Sequence, residues 1–209
     1  GRLLEPSQPL QLAGLRDGDS IAAIAQWPKV TAAGKAFAFW CVGGGRIVTW
    51  GDSNFGGDSR RVRDQLRNVR EVHATDGAFA AILADESVVT WGNWNYGGDS
   101  SKVKDQLRTV RQIHATHYAF AAILADGRVV TWGQQRYGGD SSDVRDQLRN
   151  VQQIHSTRFA CAAILGDGSV VTWGDPEFGG DSGEVRDQLR NVQELHATRF
   201  AFAATLADK

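Results

Sequence analysis

VRQIHATHYAFAAILADGRVVTWG, residues 110 to 133, is the stretch that decides how this chain folds. Its two apolar segments, AFAAILA and RVVTWG, flank Asp126-Gly127, and Asp-Gly between β-prone runs is the strongest short-range hairpin signal. The preceding RQIHAT reads as a third, inner strand. Together these segments predict a three-stranded blade with small alanines on one side, where neighbouring sheets can pack closely.

The stretch recurs along the chain. Trp50, Trp91, Trp132 and Trp173 are spaced 41 residues apart, as are the Gly-Gly-Asp-Ser blocks beginning at Gly56, Gly97, Gly138 and Gly179. A fixed period of this size is the mark of a repeat architecture, in which each unit buries its apolar face only against its neighbours. The four tryptophans are therefore expected to anchor the blade core. The hairpin turn reads Asp167-Gly168 in the next unit but Asp85-Glu86 in the first, where loss of the glycine predicts a different turn. After each Trp-Gly comes a glycine-rich loop. A segment follows in which Val103, Leu107 and Val110 have helical spacing and Ser100 or Asp99 is placed to cap a turn. A fourth strand is the competing assignment there.

Residues 29–51 form a degenerate first hairpin, and residues 201–209 stop inside a hairpin where Gly-x-Val-Val-Thr-Trp-Gly is due. The expectation is an all-β array of blades with short helical turns, propeller-like, and part of a larger ring or an open array. Its edge strands would be covered by further sequence, a partner or self-association.

Composition narrows the function classes. With 42% hydrophobic and 22% charged residues, 209 residues suffice for a continuous core, and a net charge of −1 supplies no field to gather nucleic acid or an anionic membrane. No apolar run approaches the roughly 18 residues needed to span a bilayer as a helix. The chain contains no methionine, so its start is expected to have been lost through processing or trimming, and any compartment signal with it, whether for the cytoplasm or an organelle such as a plastid. Cys41 and Cys161 are the only cysteines; Cys161 stands where other units have Phe79, Phe120 and Phe202, which predicts a buried thiol in an aromatic slot.

The string [I/V]-x-A-x-x-x-x-x-x-A-[I/L]-x-x-D-G-x-V-x-T-W-G, followed by an aromatic-Gly turn, resembles the repeat of the regulator of chromosome condensation family across residues 29–209. The resemblance implies a seven-bladed β-propeller. The sequence departs from that family in its shorter unit, in Thr75, Thr116, Thr157 and Thr198 where the family has glycine, and in Ala78, Ala119, Ala160 and Ala201 where it has histidine. Residues 3–26, LLEPSQPLQLAGLRDGDSIAAIAQ, resemble the last third of a ubiquitin-like domain, which would end within residues 1–28. That pairing is similar to proteins of photosynthetic protists that carry HERC-type names.

Candidate chemistry is sparse. His73, His114, His155 and His196 recur once per unit, with His117 in addition, and equivalent positions on successive blades lie too far apart to share one ion; no metal or cofactor is expected. Asp64, Asp105, Asp146 and Asp187 each precede an arginine by three residues, and their identical repetition points to packing, with the pairs linking neighbouring blades or capping the connecting turn, rather than to catalysis. The Gly-Gly-Asp-Ser loops lack the alternating Gly-x-Asp of calcium-binding repeats. The Gly-Trp-Arg-His-Thr motif of the family's ultraviolet-sensing member is absent.

Comparison of the units with one another is more informative. Three windows vary against an otherwise invariant scaffold: Asp52-Ser53-Asn54 with its equivalents Asn93-Trp94-Asn95, Gln134-Gln135-Arg136 and Asp175-Pro176-Glu177; Arg60-Arg61 with Ser101-Lys102, Ser142-Asp143 and Gly183-Glu184; and Asp76-Gly77 with His117-Tyr118, Arg158-Phe159 and Arg199-Phe200. Loop positions released from scaffold duty are where repeat proteins place recognition. The expected partner surface therefore has Trp94, Tyr118, Phe159 and Phe200 as apolar anchors and Arg60, Arg61 and Lys102 as a basic flank. The expected function is a noncatalytic protein-interaction scaffold, a subunit of a larger assembly. The resemblance offers the alternative of a regulatory domain of a ubiquitin ligase or guanine-nucleotide exchange factor. A ligase needs a catalytic domain of its own, and the uniform spacing leaves no room for an exchange hairpin.

Overall fold

The computed structural model describes residues 28–41 and 46–207; the segment resembling a ubiquitin-like end lies outside the described residues, apart from Pro28. Among the described residues fourteen strands form five antiparallel sheets, each built from consecutive strands. The first sheet holds β1 (Lys29–Ala32), β2 (Ala36–Trp40) and β3 (Val48–Gly51). The second holds β4 (Val69–Ala74), β5 (Ala78–Leu83) and β6 (Val88–Gly92), and the third β7 (Val110–Ala115), β8 (Ala119–Leu124) and β9 (Val129–Gly133). The fourth holds β10 (Val151–Ser156), β11 (Ala160–Leu165) and β12 (Val170–Gly174); the last described sheet has two strands, β13 (Val192–Ala197) and β14 (Phe202–Leu206). The chain is an all-β repeat of propeller-type blades, and the first strands of successive sheets lie side by side.

Alternation along the middle strand explains how blades stack. In β5, Ala78, Ala80 and Ile82 face the third sheet and meet Phe120, Ala122, Val130 and Trp132. Phe79 and Ala81 point the other way, and with Val89 and Trp91 they meet Ala36, Ala38 and Trp40 of the first sheet. Each blade thus presents a small face to the next blade and a large face to the previous one. Because side chains alternate with period two, one six-residue strand serves both interfaces. Phe79 stacks on Trp91 at 5.1 Å and Phe120 on Trp132 at 5.2 Å, and the indole N–H groups of Trp91, Trp132 and Trp173 donate to the carbonyls of Gly56, Gly97 and Gly138. Cys161 fills the aromatic slot opposite Trp173, where burial pushes its thiol pKa up to about 12.

Trp50 departs from the expected core role. It is 45% exposed, with Val30, Phe37 and Val48 beside it also open, because its face is the one that a preceding blade covers elsewhere and no described residue occupies that side. The ring rests instead on Phe37 at 5.4 Å.

The connections resolve the helix-or-strand alternative in favour of short 3-10 turns, at Arg60–Val62, Ser101–Gln106, Ser142–Val144 and Gly183–Val185. In the Gly-Gly-Asp-Ser block the first glycine, the aspartate and the serine each have a local duty. The first glycine takes φ between 92° and 99°, and at Gly56 or Gly97 a Cβ would sit 2.6 Å from the Phe79 or Phe120 ring. The aspartate accepts the N–H two residues on, as Asp99 does from Ser101 at 2.9 Å. The serine receives the Thr-Trp-Gly threonine, Thr90 Oγ1 lying 3.0 Å from Ser100 Oγ. Asp99 is therefore the cap, while Ser100 ties the connection to the sheet. The first-unit hairpin also keeps its turn despite losing the glycine. Glu86 adopts φ 65°, close to the 76° and 78° of Gly127 and Gly168, and makes the same backbone bond.

Candidate recognition surface

Antiparallel order places two of the variable windows at one end of the sheets. Ala78 pairs with Gly92, so the 75–77 turn and the loop after β6 emerge together, and the same holds for Ala119 with Gly133 and Ala160 with Gly174. Buried threonines join the two. Thr75 Oγ1 accepts the Ala78 N–H at 3.0 Å and donates to the Tyr96 carbonyl at 2.9 Å; Thr116 does the same between Ala119 and Tyr137, and Thr157 between Ala160 and Phe178. These side chains supply a bond that glycine cannot.

A backbone chain crosses the blades at this end. The Gly34 N–H donates to Asp76 O, Asp76 to His117, His117 to Arg158 and Arg158 to Arg199, at 2.8 to 3.0 Å. Along the same end runs a zigzag of aromatic rings: Tyr96 to Tyr118 at 5.0 Å, Tyr118 to Tyr137 at 5.0 Å, Tyr137 to Phe159 at 5.0 Å, Phe159 to Phe178 at 4.6 Å and Phe178 to Phe200 at 5.5 Å. Tyr118 and Phe159 also stack on each other at 5.7 Å.

The sequence-predicted anchors consequently divide. Tyr118 and Phe159 are half-buried within this zigzag, so each carries a packing duty. Phe200 is 47% exposed and Trp94 71% exposed. Trp94 lines a groove of about 660 Å³ together with Lys102, Gln135, Arg136, Asp99 and Asp140, which draws the first and second windows of neighbouring units onto one surface. Arg60 is held by its own capping aspartate, Asp58, at 2.6 Å, and Arg61 is exposed.

One residue with a structural role was hidden within a variable window. Asp175 is 2% exposed and receives Arg136 Nε at 3.0 Å from the preceding unit. No sequence signal separates it from its less buried equivalents Asp52, Asn93 and Gln134, since the repeat supplies no second example of the pair.

The remaining candidates have bland surroundings. Each Asp-Arg pair closes its own connection, at 4.0, 2.8, 3.4 and 3.2 Å, with the carboxylates 93 to 98% exposed. The expected packing role and blade-linking role are both overturned, because side chains spaced i, i+3 on a short turn reach each other before they reach a neighbouring blade. His73, His155 and His196 contact Glu71, Gln153 and Glu194 on their own strands. His114 is more enclosed, and burial, with the His73 and His155 charges beside it, lowers its pKa to about 4. Among the described residues no group of His, Cys, Asp or Glu is arranged to hold a metal ion, and no helix is long and apolar enough to cross a membrane.

No family model and no curated protein matches the chain in sequence. Its likeness is in shape. It matches the CRINKLY WD40 ectodomain of the Arabidopsis thaliana receptor kinase ACR4 with a TM-score of 0.51 at 18% identity, over 86% of this chain and 59% of that one. Prp20p of Saccharomyces cerevisiae, described with its binding to Gsp1p and histones, matches with a TM-score of 0.52 at 16% identity, over 75% of this chain and 47% of that one. Yeast RCC1 (Prp20) in complex with Kap60 matches with a TM-score of 0.53 at 16% identity, over 80% and 51%. The chain spans about half the length of these solved chains, and the likeness is one of fold.

Proposed function

We propose that this chain is a noncatalytic protein-binding module that presents its variable loops on one rim and works as a subunit of a larger assembly. The observation that carries the reading is Trp94: 71% exposed, free of any packing duty, and set beside Lys102 and Arg136 in a groove at a position where the other units have Ser53, Gln135 and Pro176. A large exposed aromatic among polar neighbours is the usual composition of an interface anchor. The solved neighbours named with Gsp1p, histones and Kap60 support protein as the partner class. The test is affinity capture from native extract with wild type and Trp94→Ala. Tyr118 is left intact because its ring is part of the fold. The variant is expected to lose about 2 kcal/mol or more of partner binding with an unchanged melting temperature. Equal capture by both proteins would place recognition elsewhere.

A further inference from the structure

The third variable window changes character along the array. Its first two members partner each other, His117 Nδ1 lying 2.8 Å from Asp76 Oδ2 of the preceding unit. Its last two are both arginine. The Arg158 N–H donates to the Arg199 carbonyl at 3.0 Å, so two guanidinium-bearing residues stand on adjacent blades with their backbones in direct contact. Each guanidinium lies over the ring that follows it, 5.3 Å from Phe159 and 5.4 Å from Phe200. Among the described residues the arginines in salt bridges to Asp or Glu are Arg60, Arg67, Arg70, Arg108, Arg128, Arg136, Arg149 and Arg190, and neither Arg158 nor Arg199 has a carboxylate within 4.0 Å. Arg158 Nε is withdrawn from solvent and has no hydrogen-bond partner. Two neighbouring like charges without a carboxylate of their own are unfavourable, and an anion received by both guanidinium groups relieves their repulsion.

We propose that Arg158 and Arg199, set on the Phe159 and Phe200 rings, form a binding site for carboxylates of a short acidic segment in a partner protein. Guanidinium forks match carboxylate oxygens two by two, and the aromatic rings hold the forks in fixed planes. The basic track is short: it ends at the His117–Asp76 pair, and the chain as a whole carries a net charge of −1. That favours a brief acidic peptide over a long polyanion such as nucleic acid, which needs a succession of cations. The inference rests on the binding-module reading and names a partner chemistry for one part of its rim.

The probe is a fluorescein-labelled deca-glutamate peptide, followed by fluorescence anisotropy at low salt. Wild type is expected to bind saturably, and R158Q/R199Q to raise Kd at least tenfold. R158K/R199K should fall between them, since lysine keeps the charge but loses the fork. R67Q/R108Q, which removes two exposed arginines elsewhere, should leave Kd unchanged. Wild-type affinity in R158Q/R199Q overturns the proposal, as does tighter binding of an oligothymidylate of equal length. If the glutamine variant does not fold, an unchanged Kd in R158K/R199K is the overturning result. Loss of captured partners on Trp94→Ala, with no deca-glutamate binding by wild type, leaves the module reading standing and sinks this one.

Discussion

Position in the repeat does not fix what a residue contributes; its neighbour across the interface does. Trp132 and Trp50 are equivalent by sequence, yet Trp132 is 4% exposed, stacked on Phe120 and bonded to the Gly97 carbonyl, whereas Trp50 is 45% exposed. Trp132→Ala is expected to cost about 3 to 5 kcal/mol, the usual range for a large buried aromatic, and Trp50→Ala about 1 kcal/mol or less. Urea unfolding of the two variants side by side checks this, and equal losses would mean that the Trp50 face is covered in solution. The same reasoning separates readable from unreadable residues. The burial of Cys161 was legible because three phenylalanines mark its slot. The exposure of Asp64 and its equivalents was not, because identical repetition looks the same whether a side chain packs inward or points outward.

At the level of elements, the sheets were open to reading and their mutual placement was not. Asp126-Gly127 between β-prone runs marks the β8–β9 hairpin, and the 41-residue period carries that reading through the other units. The connections needed coordinates: the i, i+4 spacing of Val103 and Leu107 reads as α-helical, whereas the chain makes a 3-10 turn over Ser101–Gln106, opened by the Asp99 carboxylate and ending before Leu107. The interblade chain through Asp76, His117 and Arg158 leaves no trace in any local pattern, since its partners lie a full period apart.

The first strands also carry a row of histidines with a consequence for acid stability. His114 holds its pKa near 4 in the folded state through burial, while the unfolded chain takes up the proton near 6.5. The unfolded state binds more protons between these values, so stability falls as pH drops from about 6.5 to 4 and this contribution is flat below that. His155, lowered by burial and by the His196 charge, adds in the same direction. The loss assignable to His114 is up to about 3 kcal/mol at 1.36 kcal/mol per unit. Urea midpoints at pH 7 and pH 5 for wild type and His114→Gln measure it, and an equal fall in both proteins would rule out this histidine as the source.

The whole molecule is a line of like interfaces. Among the described residues the packing clusters join each sheet to the sheets before and after it, so stability is expected to be a sum of blade terms and neighbour terms, with disturbance at one rim position staying within a blade or two. That suits a surface assembled from loops that vary independently. The four N–H bonds from Gly34 through Arg199 add a property of another kind, because they lie in series along the direction in which the blades succeed one another. Drawn apart by its ends, the molecule is expected to yield like a row of stitches, one interface failing before the next is loaded. Each failure should release a 41-residue unit, which at about 3.4 Å per residue is a step of roughly 140 Å, less the thickness of one blade. Force spectroscopy should thus record evenly spaced ruptures. A single rupture that frees the entire chain would mean that the blades are mechanically one body.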